Sequence, residues 1–341
     1  MKQVWITKTG APETLQLREA PDPEPGRGEI RVRVHASGVN FADIMARMGL
    51  YPDAPRLPAV VGYEACGVVD RTGPNASNFR EGDRVVALCR FGGYSDTVVV
   101  NERQAYAIPD TMSFSQGAAI PVNYLTAYQM LVAMGRARPG DRVLIHSAAG
   151  GVGLAAIDLC HLVGAEPIGV AGAAKHALLR ERGVKLLVDS RAPAFDDAVL
   201  SLTQGKGVTL ALDPAGGDSW RRSLRCLEPT GLLVVFGFSA ATSGRLPKWL
   251  SGLRSLAAVP WMKMSPLGLM SANKGVLGVN LGHLWSHAAQ VRTWGEQILD
   301  WAGEGKIHPR VDREFPLADA ASAHRYIEER RNVGKVVLVS P

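Results

Sequence analysis

Pro139-Gly140-Asp141-Arg142-Val143-Leu144-Ile145-His146-Ser147-Ala148-Ala149-Gly150-Gly151-Val152-Gly153 decides how this 341-residue chain is read. Pro139-Gly140-Asp141 is turn chemistry, and the aliphatic run after it reads as a short buried strand. A nearly uncharged stretch, Leu154 to Val163, follows and reads as a helix. Where strand becomes helix, Gly150 and Gly151 keep Cβ atoms out of a ligand's way, and Gly153 lets the helix pack close to the strand. The new helix aims unpaired N–H groups and a positive partial charge at that point, which suits a pyrophosphate. Ala148 stands where the first glycine of GxGxxG would be, so the context has to decide between a nucleotide loop and a plain glycine turn.

The context favours a dinucleotide. A second apolar strand, Pro167-Ile168-Gly169-Val170-Ala171, completes a strand-helix-strand unit of the usual length. An NAD site places Asp or Glu at the end of that strand for the ribose 2′-hydroxyl, yet no acid occurs from Pro167 to Arg180. Lys175 stands there instead, and a cation suits a 2′-phosphate; the expected cofactor is therefore NADPH. Read locally, Lys175 is a solvated residue at a helix start. Ala149 to Gly153, Ala171 and Lys175 form the expected nucleotide site, and Ser190 and Arg191, after the third strand, are further candidates for the adenosine phosphate.

Composition limits the alternatives. The length predicts two domains, and 46% apolar with 21% charged residues is the balance of a soluble globular protein. The net charge of +6 is scattered, with Arg221-Arg222 and Arg330-Arg331 the only adjacent basic pairs among the helices, so no nucleic-acid partner is expected. Cys66, Cys89, Cys160 and Cys226 show no CxxC spacing and no secretory leader precedes them, which predicts reduced thiols in a cytoplasmic protein. The uncharged run Thr111 to Gly135 contains Gln116, Pro121, Asn123 and Gln129, so it is read as a buried inter-domain segment and no membrane span is predicted.

Taken in order, Met1 to about Tyr106 alternates with period two in short strands, of which Glu29-Ile30-Arg31-Val32-Arg33-Val34-His35 is the clearest, and predicts a β-barrel-like domain. One helix interrupts it at Asn40 to Arg47. From Pro139 strands alternate with helices, which predicts an α/β domain with a doubly wound parallel sheet. Leu246 to Met270, rich in Trp, Met and Leu, reads equally as core, oligomer interface or pocket wall. Trp285 to Trp301 reads as a helix, and from Ile307 the pattern returns to strand, helix, strand.

Val39-Asn40-Phe41-Ala42-Asp43, Gly49-Leu50-Tyr51-Pro52, Gly62-Tyr63-Glu64, Ala148 to Gly153, Phe236-Gly237 and Gly334-Lys335-Val336-Val337-Leu338 occur in this order along the chain. Together they resemble the medium-chain dehydrogenase/reductase superfamily, and within it the zinc-independent quinone oxidoreductase branch near zeta-crystallin and the vesicle amine transport protein homologues. The resemblance implies a GroES-like β-barrel catalytic domain, residues 1–122 completed by 305–341, and a Rossmann domain, residues 123–304. It implies no metal, since zinc-dependent relatives carry Cys where this chain has Asn40 and His where it has Tyr63. His283 and His287 are spaced i,i+4 but lack an evident third ligand. A homodimer is expected on the same ground.

Without a Lewis acid the substrate must already be activated, so the expected partner is a small apolar electrophile, a quinone or an α,β-unsaturated carbonyl. By resemblance Asn40 and Asp43 lie near nicotinamide and substrate, and Tyr51 sits at the cleft mouth as hydrogen-bond donor or proton source. Read locally, Asn40 and Asp43 are cap residues and Tyr51 a rim aromatic. The family also implies that Asn123 and Thr126 reach the carboxamide, that Phe236, Gly237 and Phe238 pass the ring, and that Asn332 and Lys335 return to the cofactor. His146, before the glycine turn, is read as a structural histidine. An enoyl reductase of lipid or polyketide tailoring is the enzymatic alternative, and a nucleotide-bound carrier of apolar ligands the non-catalytic one.

Overall fold

The computed structural model describes residues 1–239 and 265–340, so most of the Leu246 to Met270 stretch lies outside the described residues. The chain forms two compact units, Met1–Leu125 with Gly282–Pro341, and Thr126–Leu281.

In the first unit β1 (Lys2–Ile6), β2 (Leu15–Glu19) and β4 (Ala59–Val60) make a three-stranded sheet. The larger sheet is built on β3 (Glu29–Val39), which pairs antiparallel with β5 (Glu64–Thr72) and β7 (Thr97–Asn101). Beyond β5 lie β6 (Arg84–Leu88) and β8 (Ala105–Ala107). The alternation read in β3 is real: Ile30, Val32 and Val34 are sealed in a core with Val69, Val85 and Val98, while Arg31 turns to Asp70 at 2.8 Å. Each such aliphatic side chain contributes about 1.5–3 kcal/mol on burial. Helix α1 (Phe41–Met48) buries Ile44 and Met45 and stops at Gly49, whose φ of 74° needs no Cβ. Helices α2 (Phe114–Ala118) and α3 (Pro121–Tyr128) lead onward, and a π-helical turn, Gln129–Met134, follows.

The second unit holds a parallel sheet of β9 (Arg142–His146), β10 (Glu166–Ala171), β11 (Leu186–Asp189), β12 (Val208–Asp213), β13 (Leu227–Val235) and β14 (Gly275–Gly278). Their order is β11-β10-β9-β12-β13-β14, so the chain steps outward one way from β9 and then returns to build the other half from β12. Leu144, Ile168, Val170, Val188 and Leu233 fill its core. Its helices are α4 (Gly151–Val163), α5 (His176–Glu181), α6 (Phe195–Leu202), α7 (Asp218–Arg225) and α8 (Pro266–Ala272). The doubly wound sheet expected from the strand-helix alternation is present; β14, four residues beginning and ending in glycine, gave no signal of its own.

The chain then returns to the first unit through α9 (Ala288–Gly303), β15 (Val311–Pro316), α10 (Ala320–Glu328) and β16 (Lys335–Val339). Strand β16 pairs antiparallel with β3, Val336 opposite Val39 and Val337 opposite Gly38. His283 and His287 do not share an α-helix: each ends its own short 3₁₀ turn, and His283 Nε2 meets Asp53 Oδ2 at 2.8 Å, so their i,i+4 spacing does not place them on one helix face. No helix among the described residues is long and apolar enough to cross a membrane.

Candidate active site

In the first unit the register of three adjacent strands gathers a polar cluster. Lys335 precedes Val336, Asn40 follows Val39, and Glu64 precedes Ala65, which pairs with Ser37. Lys335 Nζ donates to Asn40 Oδ1 at 2.6 Å and is ion-paired with Glu64; Asn40 Nδ2 donates to Glu64 Oε1 at 2.9 Å. Glu64 Oε2 accepts the N–H of Val122, in the first turn of α3, at 2.8 Å. All three side chains are buried. Lys335, expected at the cofactor, therefore has its ammonium committed to Asn40 and Glu64.

Asp43 lies deeper. Its Oδ2 accepts the Asn40 N–H at 2.8 Å and the Tyr94 hydroxyl at 3.2 Å, and Oδ1 accepts the Gly62 N–H at 3.0 Å. Burial pushes its pKa up to about 7, against the pull of the Asn40 N–H and the Lys335 charge. The local reading of Asp43 as a cap of α1 is thus realised. Tyr94 also contacts His324 Nε2 at 2.9 Å, and burial followed by the Arg47 charge pushes His324 down to about 3. Tyr51 is half-buried and packs edge-on against Tyr63 with ring centroids 6.3 Å apart. Burial, then the Asp43 carboxylate and Tyr51, raise the Tyr63 hydroxyl's pKa well above the ordinary phenol value.

In the second unit the glycine turn sits at the carboxyl end of β9, where the strand order reverses and a doubly wound sheet opens its ligand crevice. Helix α4 begins at Gly150 without a side-chain cap and with no acid in its first turn. Among the described residues the N–H groups of Gly151, Val152 and Gly153 have no hydrogen-bond partner. A Cβ on Gly153 would lie 2.6 Å from the Ala148 carbonyl oxygen, whereas one on Gly150 would meet only Ser147 O, at 3.2 Å. Gly153 is thus required by packing, and Gly150 leaves room in front of three free donors. That arrangement fits a pyrophosphate.

The remaining expected positions fall in three groups. The Ala171 carbonyl accepts from Ser190 N at 3.0 Å and contacts His176 Nε2 at 2.9 Å, tying the ends of β10 and β11 together near Lys175, which closes the 3₁₀ turn Ala173–Lys175. Phe236, Gly237 and Phe238 follow β13 beside Pro214. Thr126 is buried, Asn123 donates to Ala119 O at 3.0 Å, and Asn332 donates to Gly334 O at 3.1 Å, the last two in the first unit. His146 holds the switch point together: Ser223 donates to Asp213 Oδ2 at 2.7 Å, so its oxygen accepts the His146 Nε2 hydrogen at 2.9 Å. Burial lowers the His146 pKa, against the pull of the Asp213 carboxylate. Glu64 stood in a recognised motif without a role; Tyr94, His324 and Ser223 gave no local signal, because each acts through a partner far away in sequence.

The donors near Asn40 do not suit zinc. An amide and a phenol stand at the positions where zinc-dependent relatives carry Cys and His, and the Asp43 and Glu64 carboxylates are already engaged. Among the described residues no group of three or more His, Cys, Asp or Glu is placed to hold a metal ion.

A family model described as an alcohol dehydrogenase GroES-like domain matches residues 26–110, and one described as a zinc-binding dehydrogenase matches residues 182–338. The chain is 39% identical to the synaptic vesicle membrane protein VAT-1 homolog of Rattus norvegicus over 95% of its own length and 80% of that protein's. It is 34% identical to a quinone oxidoreductase of Pseudomonas aeruginosa over 99% of both chains. The crystal structure of Escherichia coli quinone oxidoreductase complexed with NADPH superposes with a TM-score of 0.87 at 31% identity, covering 100% of both.

Proposed function

This chain belongs to the medium-chain dehydrogenase/reductase superfamily, in the branch of the quinone oxidoreductases and VAT-1 homologues, and we propose that it is an NADPH-dependent reductase of quinones or α,β-unsaturated carbonyls that works without zinc. The observation that carries this reading is the uncapped start of α4, with three unpartnered N–H groups behind Gly150 at the sheet's switch point. When bound, NADPH supplies the hydride. Gly151 to Gly153 hold the diphosphate, and Lys175 takes the 2′-phosphate where an NAD enzyme would present a carboxylate.

Asn40 and Tyr51 contact the acceptor. One Nδ2 hydrogen of Asn40 is engaged by Glu64; among the described residues the other has only the long contact to Gly38 O, at 3.5 Å, and is available to an acceptor oxygen on which charge develops. Tyr51 holds the proton that an enone needs at carbon once hydride has been added. Asp43 is enclosed and acts as a positioning residue through the Asn40 N–H. The protein works as a homodimer, covering the outer edge of β14 and the nearby Leu267 and Met270, which are 70% and 73% exposed.

The test is NADPH consumption with a panel of quinones, enones and enoyl thioesters. Turnover of the first two supports the reading, and turnover of thioesters alone would make it an enoyl reductase. Background consumption throughout, with lipid extracted from vesicles, would make it a carrier.

A further inference from the structure

Among the described residues, buried polar groups outside the cofactor turn include His146-Ser223-Asp213, Arg47 with its partner Glu328, and Lys335-Glu64-Asn40. The first ties two strand ends together, and in the second a buried Arg47 meets a partly exposed Glu328. The third holds a group that the proposed reaction uses. We infer that Lys335 and Glu64 are positioning residues of the reaction: as a pair they lock the Asn40 carboxamide so that its second Nδ2 hydrogen, otherwise in only a long contact with Gly38 O among the described residues, meets the acceptor's oxygen. This rests on the reductase reading given above.

The lock follows from donor and acceptor chemistry. An ammonium can only donate and a carboxylate can only accept, so Lys335 Nζ at 2.6 Å fixes one end of the amide as oxygen, and Glu64 Oε1 at 2.9 Å fixes the other as nitrogen. Turning the amide over would set NH₂ against NH₃⁺ and C=O against the carboxylate. With both ends fixed, the second Nδ2 hydrogen has one direction, and its partner among the described residues is Gly38 O at 3.5 Å. An ammonium on the carbonyl side also draws electron density from the nitrogen and makes that hydrogen a stronger donor. In this way a cation polarises the acceptor through an amide.

Stability alone does not account for the pair. A buried ion pair can usually be replaced by apolar groups at no cost to folding. Here the backbone is also cleared for it, since a Cβ on Gly38 would strike Glu64 Oε1 and come within 2.5 Å of Lys335 Cε. Glu64 extends the arrangement by accepting the Val122 N–H at 2.8 Å, so the amide is referenced to the start of α3 as well as to two strands.

The experiment compares Lys335→Met, and Lys335→Met with Glu64→Gln, which removes both charges and guards against misfolding of the single variant. NADPH affinity is read from its fluorescence, and kcat and KM are measured for one quinone and one enone. The expected result for the double variant is unchanged NADPH affinity, with kcat lowered by ~10², the scale of losing one aligned oxyanion donor. The Asn40 side-chain amide resonances, observed with ¹⁵N-asparagine label, should move in both variants. Weakened NADPH binding at unchanged kcat would make Lys335 a cofactor ligand and overturn the inference. So would double-variant turnover within twofold of wild type, or unmoved Asn40 resonances. If the wild type itself turns nothing over, the reductase reading fails, while the resonances still test the lock.

Discussion

Tyr94 donates its hydroxyl hydrogen to the Asp43 carboxylate at 3.2 Å, and both side chains are sealed from solvent. The phenol oxygen then accepts the Nε2 hydrogen of His324, so two titratable groups with opposite pH demands share one hydroxyl. Asp43 rises from 3.8 to about 7 on folding, so between those values the folded chain holds a proton that the unfolded chain releases. Its contribution to stability grows as pH falls through 7 toward 4 and is lost as pH rises again. His324 drops from 6.5 to about 3, so its contribution is lost as pH falls below 6.5. In the overlap the two offset each other. Melting curves should show it: Asp43→Asn becomes progressively less stable than wild type on acidification from pH 7 to 4, and His324→Gln progressively more stable. Each slope is at most about 1.4 kcal/mol per pH unit. If both variants track wild type across this range, neither group carries its shift.

Gly38→Ala should destabilise the first unit although alanine ordinarily stabilises an extended glycine position by restricting the unfolded chain. The new methyl would occupy space held by Glu64 and Lys335, whose approach the missing Cβ permits. An overpacking cost of about 1–3 kcal/mol is expected, read as a lower denaturant midpoint at unchanged m-value. An unchanged midpoint would mean that the ion pair has room to shift.

Gly150 and Gly153 should behave oppositely. Alanine at Gly153 meets backbone oxygens, 2.6 Å away at Ala148, so it should lower the melting temperature. Alanine at Gly150 has only Ser147 O, at 3.2 Å, so it should fold normally and still bind NADPH at least tenfold more weakly. Equal NADPH affinity of Gly150→Ala and wild type would place the diphosphate elsewhere.

The glycine turn and the doubly wound sheet were legible because their signals are local: apolar runs, turns and a helix start lie within about thirty residues of one another. Alternation likewise revealed β3, whose Ile30, Val32 and Val34 are buried. What brings Lys335 beside Asn40 is the pairing of Val336 with Val39, a register between strands nearly three hundred residues apart that leaves no trace in either stretch. Lys335 was therefore grouped with the cofactor by its motif, whereas its ammonium lies against Asn40. Tyr94 and His324 were invisible for the same reason, since their partners lie far away in sequence and an isolated Tyr or His looks like any core residue. The i,i+4 spacing of His283 and His287 has no structural meaning, because the chain breaks into two short turns there.

Lys175→Ala should weaken NADPH binding while leaving NADH binding near its wild-type value, because only the 2′-phosphate distinguishes the two. Lys175 closes the turn that follows β10, and no carboxylate stands between Pro167 and Arg180 to repel that phosphate. Lys175 is partly exposed, and a contact of that kind is worth up to about 1 kcal/mol, so a change of up to about fivefold in the affinity ratio is the expected scale. An unaltered ratio would shift the phosphate site toward Arg191.

Tyr51→Phe separates the two classes of acceptor. The phenyl ring keeps the edge-on packing against Tyr63, at 6.3 Å between centroids, so the fold should be undisturbed and the loss confined to one hydroxyl. A quinone that has received hydride becomes a hydroquinone anion, stable enough to collect its proton from water. An enone that has received hydride becomes an enolate and must be protonated at carbon, a step that a positioned acid accelerates by about 10²–10⁴. Enone kcat should therefore fall by at least tenfold in the variant while quinone kcat stays within about threefold. A deuterium solvent isotope effect should grow for the enone alone. Equal losses on both would make Tyr51 a binding group for the carbonyl, and no loss on either would return it to the role of a rim aromatic.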